Sequence, residues 1–190
     1  MNPQLTEFGP IALAIAVVLL AVIFVCLYIQ RRRTGVALRQ RYGTEYERVA
    51  SEVGSERKAQ EKLLDREKRV EKLDIRELDP ADRQRFLEEW KSVQAHFVDS
   101  PAEAVTQADA LVTSLMQRRG YPVSDFEQRA ADISVDHPNV TQNYRAANAI
   151  ASRLGKSEVG TEDLRSAMIH YRALFDELVQ PTVAVKQAAE

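Results

Sequence analysis

Apolar residues are spread along this chain in three different ways. From Ile11 to Ile29 they run without a break. From Thr44 to Lys72 they recur at three- and four-residue spacing inside a heavily charged background, as Tyr46, Val49, Val53, Leu63 and Val70. From Asp79 onward they recur in blocks, each opened and closed by capping residues. An unbroken run of nineteen residues makes a helix about 28 Å long, close to the thickness of a bilayer core. The later spacing is that of amphipathic helices. No stretch alternates apolar and polar residues for long, so no sheet is expected. The fold class predicted is all-α: an N-terminal transmembrane helix, a charged helical stalk and a small bundle of four to five helices. The expected divisions are a short extracytoplasmic N-terminus (1–10), the transmembrane helix (11–30), a basic juxtamembrane segment and stalk (31–78), the bundle (79–180) and a flexible tail (181–190).

The bundle is well punctuated. Asp79-Pro80 starts a helix, with Asp as cap and Pro at the first helical position, and Phe86, Trp90, Val93 and Phe97 follow on one face. Ser100-Pro101 repeats the signal ahead of Val105, Ala108, Leu111, Val112 and Leu115, and Gly120 closes that helix. Ser124 to Glu127 reads as a capping box before Phe126, Ala130 and Ile133. Asp136-His137-Pro138 opens a helix carrying Val140, Tyr144, Ala147, Ala151 and Leu154. Thr161 opens the last one, with Leu164, Met168, Tyr171, Leu174, Phe175 and Leu178. Phe86, Trp90, Phe97, Phe126, Tyr144, Tyr171 and Phe175 are expected in the core, where aromatics at helical spacing belong. The connector Leu73–Asp79 reads as extended, with Leu73, Ile75 and Leu78 available to pack on the bundle.

Charge adds a direction to the anchor. Only Glu7 and the α-amine precede the apolar run, whereas Arg31, Arg32, Arg33, Arg39 and Arg41 follow it. Arginine-rich flanks stay in the cytoplasm. The N-terminus is therefore expected outside the cell membrane and the body inside, with the five arginines at the membrane surface. A cleaved signal peptide fits poorly: no basic residue precedes the run and no small-residue cleavage site follows it. The lone cysteine, Cys26, lies inside the run and excludes an internal disulfide. Residues 79–190 carry twelve Lys/Arg against seventeen Asp/Glu. Phosphate backbones require a cationic face, so nucleic acid is not an expected partner.

The stalk is less decided. A coiled-coil-like seam runs from Tyr46 through Val49, Val53, Glu56, Gln60, Leu63 and Glu67 to Val70. Three polar positions interrupt it, and a homodimeric zipper is not established. Arg57 with Glu61 and Asp65 with Arg69 are favourable pairs four apart. Lys58, Lys62 and Arg66 form a positive stripe beside a negative one at Glu61 and Asp65. The stripes read either as a solvated face or as a match for complementary stripes on another helix, in a protein partner or a homo-oligomer.

Chemistry adds little. His96, His137 and His170 have no second His or Cys at metal-ligand spacing. There is no phosphate-binding glycine loop or nucleophile elbow. No cofactor, metal or catalytic residue is expected. Residues 125–148 are denser in polar groups than bundle folding requires. Asp125, Gln128, Arg129, Asp132, Asn139, Asn143, Arg145 and Asn148 read as a candidate binding surface, against the alternative of caps and inter-helix hydrogen bonds.

Several stretches, among them VEKLDIRELDPADRQRF, RRGYPVSDFEQRAADISVDHP, NYRAANAIA and TEDLRSAMIHYRALFDELV, resemble an uncharacterised family of bacterial single-pass membrane proteins with a charged helical segment and a C-terminal helical domain. The resemblance spans about residues 40–179. It implies a bacterial source and supplies no activity. The expected function is thus a membrane-tethered, non-catalytic helical interaction or scaffold protein. The alternatives are a bundle that binds a small molecule or lipid at the membrane, and a hydrolase-like enzyme built on Asp132, Asp136, His137 and His170.

Overall fold

Helical periodicity and capping carry through to a computed structural model, which describes residues 8–122 and 124–181 and leaves out the side chains of 8–16, 27, 30 and 31. The chain is all-α, with no strand among the described residues. In order the helices are α1 (Phe8–Tyr42), α2 (Thr44–Val53), α3 (Glu56–Val70), α4 (Pro80–His96), α5 (Pro101–Arg118), α6 (Phe126–Asp136), α7 (Pro138–Ala151) and α8 (Thr161–Val179).

Contacts divide the chain into Met1–Arg41 and Tyr42–Glu190. The first unit carries nearly all of α1. Leu38 is buried, but the large apolar residues described between 17 and 29 have no buried face. Val17, Leu20, Phe24 and Ile29 are all exposed, the large side chains of this stretch by 44–71 %. Among the described residues, no helix is long and apolar enough to cross a membrane. Of the expected span, Ile11–Ala16 and Leu27 fall outside the residues whose side chains are described. So do the first seven residues and 182–190, most of the expected extracytoplasmic N-terminus (1–10) and flexible tail (181–190).

In the second unit 42–190 cluster together. The segment read as a stalk folds back on itself. Gly54 sits in the left-handed region (φ 67°) and turns the chain from α2 into α3. The apolar seam residues Tyr46, Val49, Leu63 and Val70 are buried. Two polar seam positions meet tyrosine hydroxyls: the Gln60 amide donates to Tyr46 Oη (3.3 Å), and Tyr42 Oη donates to Glu67 (3.3 Å). The seam is therefore used within the chain. The hairpin then packs through α3 on α6 and through α2 on α7.

The rest is the expected bundle, with α8 against α7 and α5, α4 against α5, and α6 against α7. Trp90 stacks on Phe175 at 4.7 Å between ring centroids, and Phe126 meets Tyr144 edge-on at 4.9 Å. Five of the seven expected core aromatics are buried, while Phe97 and Phe126 are partly buried at its margin. Asp79 caps α4 as expected, accepting from Asp82 N–H (2.8 Å). Such a cap contributes about 1 kcal/mol. Two expected starts move by one residue. Asp125, not Ser124, caps α6, accepting from Gln128 N–H at 2.9 Å. Gly160 rather than Thr161 is the N-cap of α8. In the connector Leu78 is buried and Ile75 packs against the core.

Candidate functional site

The charged residues of α2 and α3 are arranged by the hairpin turn. Glu45 and Glu52 lie seven apart, two turns along one face of α2. Lys62 and Arg66 lie four apart on α3. The turn brings these two stripes together. Lys62 Nζ meets Glu52 at 2.6 Å, and Arg66 Nη1 meets Glu45 at 2.9 Å. The complementary stripe expected on another helix is thus supplied by this chain's own α2. Arg57 pairs with Glu61 at 3.0 Å as expected. Asp65 instead pairs with Lys68 at 3.5 Å, because Arg69 turns away to Asp132 on α6.

Glu45 is the centre of this arrangement. It is 4 % exposed and accepts hydrogen bonds from Arg48 Nε (2.9 Å) and Nη2 (2.8 Å), from Arg66 Nη1 (2.9 Å), and from Arg145 of α7 at 3.3 Å. Burial pushes its carboxyl up. The hydrogen bonds from Arg48, the charge of Arg145 and the hydrogen bond from Arg66 outweigh that and hold it down at about 2. One carboxylate thus ties α2, α3 and α7 together. The hydrogen bond from Lys62 chiefly lowers Glu52 as well. Asp132, 1 % exposed, accepts through Oδ1 from both Arg69 Nε (2.9 Å) and Nη2 and from Gln128 Nε2 (2.9 Å). Its Oδ2 is buried with no donor among the described residues.

Between α2–α3 and α6 these residues enclose a cleft of about 930 Å³. Of the candidate partner-binding positions Lys58, Lys62, Arg66, Asp125, Gln128, Arg129, Asp132 and Asn143, the first five line it. Asp132 stands behind, holding Arg69 and Gln128. Two go elsewhere. Arg129 donates to Tyr144 Oη (3.0 Å) and the Ser124 carbonyl, and Asn143 pairs with His170 Nδ1 (2.9 Å). Arg48, Glu52, Arg69 and Glu127 also line the cleft. Sequence reasoning did not place them there. The Glu45–Arg48–Glu52 spacing was a visible i,i+3/i,i+4 signal, but nothing local marks Glu45 as buried.

The residues of the hydrolase alternative are engaged separately. Asp132 holds Arg69, and Asp136 accepts from Tyr121 Oη (2.7 Å). His137 Nδ1 meets Glu177 (2.9 Å), and His170 meets Asn143. None is hydrogen-bonded to another of the four, and no group of three metal-ligating side chains occurs among the described residues. Of the arginines expected at a membrane surface, Arg32, Arg33, Arg39 and Arg41 are exposed on α1, and Arg32 lies 5.3 Å from the centre of the Tyr28 ring. The Arg31 side chain is outside the described residues. No family model, curated protein or solved structure matches the chain.

Proposed function

We propose that this chain is a membrane-tethered, non-catalytic helical interaction protein whose cleft between α2–α3 and α6 holds a protein partner. One observation carries this reading: two polar segments about sixty residues apart, picked out separately in the sequence, meet in one charged cleft. A charge-lined surface gives a partner specificity more than raw affinity, as recruitment requires. The lining offers few apolar side chains, Val53 and Ala131 among them, whereas sites for small organic ligands are mostly apolar. The tether is supported by α1, whose large apolar side chains described between Val17 and Ile29 are exposed. Such a helix finds its medium in a bilayer or a large core. The arginines that follow favour a cytoplasmic body at the cell membrane, with the N-terminus outside.

A photo-crosslinking residue at position 62 of the full chain, irradiated in intact cells, tests both parts. The protein is expected in the membrane pellet after carbonate washing, with a discrete adduct from position 62 and none from position 107, which lies in a separate groove between α4 and α5. Protein recovered in the supernatant removes the tether. Equal adducts from both positions, or none from 62, remove the cleft. A reporter active only in the cytoplasm, fused after Glu190, is expected to be active. Activity of an export-dependent reporter instead reverses the orientation.

A further inference from the structure

The charge in the cleft is layered. Arg66 is 4 % exposed and sits at the floor. Both of its hydrogen bonds leave from Nη1, to Glu45 and to Ser134 Oγ (3.3 Å). Its Nε and Nη2 have no acceptor among the described residues, although the side chain lines the cleft. Arg69 likewise uses Nε and Nη2 on Asp132 and keeps Nη1 without an acceptor. Lys58 has no ion pair among the described residues. Arg48, by contrast, is fully engaged by Glu45 and Glu52. The exposed rim carries Glu52, Asp65, Asp125 and Glu127.

A guanidinium held from one side by a buried carboxylate, with its other edge open, is prepared for an oxyanion. The rim decides which one. The lining carries five cations, Arg48, Lys58, Lys62, Arg66 and Arg69, against four carboxylates, an excess that suits a singly charged carboxylate better than a dianionic phosphate, and the exposed carboxylates would attract basic groups flanking it. We propose that the cleft receives the carboxylate of an Asp or Glu side chain from the protein partner, seated on Arg66, Arg69 and Lys58, with basic residues of the same segment meeting the acidic rim. Glu45 and Asp132 act as positioning residues, fixing the two guanidinium planes. The cleft volume is at the upper end of the range for ligand sites, room for several side chains.

This inference rests on the cleft being the partner site. A cross-link at position 62 that persists when the following experiment fails would remove only the carboxylate. The full chain in detergent is titrated with a capped Lys-Ala-Glu-Ala-Lys peptide, with its Gln counterpart and with inorganic phosphate, and the arginine Nε–Hε resonances are followed. The Glu peptide is expected to shift Arg66 and Arg69 and to bind about 10-fold more tightly than the Gln peptide. Lys58→Glu, at an exposed position, is expected to cut that preference to about 2-fold, since it replaces an attraction by a repulsion at the rim. The two peptides binding equally, or neither binding, overturns the proposal. So does an undiminished preference in Lys58→Glu. A larger response to phosphate than to the Glu peptide assigns the floor to a phosphate-bearing ligand and overturns the acidic-peptide reading.

Discussion

Replacing Gly120 by alanine is expected to destabilise the helical body by about 3 kcal/mol or more. Two independent effects combine there. Gly120 has φ 98°, where an L side chain is strained by about 1–3 kcal/mol. An added Cβ would also lie 2.1 Å from the carbonyl oxygen of Asp74 and 2.9 Å from its carbon. That neighbour is backbone and cannot rotate away. The conformation comes from the end of α5, where Tyr121 N–H donates to Met116 O (3.0 Å) and Gly120 N–H to Gln117 O (3.0 Å), the paired bonds of a Schellman cap. The close approach comes from the connector, which is fastened across this point by Arg76 N–H donating to Arg119 O (2.8 Å). Alanine must therefore break the cap or lift the connector, and lifting it withdraws Ile75 and Leu78 from the core. The protein's one tryptophan, Trp90, stacks in that core, so its fluorescence reports unfolding directly. Thermal unfolding is expected roughly 10 °C or more below that of the parent. A midpoint within about 2 °C would show that the connector can move aside freely.

Glu45→Gln is the second large effect, expected at about 3–5 kcal/mol. Removing one partner of a buried ion pair leaves uncompensated charge behind. Here that partner serves Arg48, Arg66 and Arg145 together. The acid limb of the stability profile identifies the group. Its carboxyl sits at about 2 in the folded protein against an ordinary 4.5. An acid whose folded value is depressed contributes stability that is complete above about pH 4.5 and is lost as pH falls towards 2. By linkage this amounts to about 3 kcal/mol. Glu52, lowered by Lys62, and Asp82, lowered by Arg118, fall in the same direction. The difference between parent and Glu45→Gln profiles separates Glu45 from them. It is expected to be largest near neutral pH and to shrink through the window between 4.5 and 2. Parallel profiles for the two proteins would mean that Glu45 is not the charged hub of the hairpin.

The hub also explains why the segment after the apolar run read as a stalk. A seam interrupted by Glu56, Gln60 and Glu67 is a poor zipper between identical helices. It is well suited to a hairpin in which Tyr46 and Tyr42 bring hydroxyls to two of those positions. The three-residue positive stripe looked like a surface seeking a partner. Most of that search is satisfied by Glu45 and Glu52, twenty-one residues upstream of Arg66 and ten upstream of Lys62; of the three, only Lys58 has no ion pair among the described residues.

What could be read along the chain is what is decided locally. Helical spacing, proline at first helical positions and glycine after the last turn act over a few residues. They located α4, α5, α7 and α8 and named the aromatic core before any contact was known. The unbroken apolar run and its arginine flank are equally local. What required the tertiary structure is the pairing of charges over long separations: Glu45 with Arg66 (21 residues apart) and Arg145 (100 apart), and Arg69 with Asp132 (63 apart). A long cationic side chain can reach many carboxylates. Which one it meets, and whether water is excluded around the pair, depends on how the helices are stacked and not on the neighbouring sequence. The cleft exists only because that stacking lays α3 beside α6.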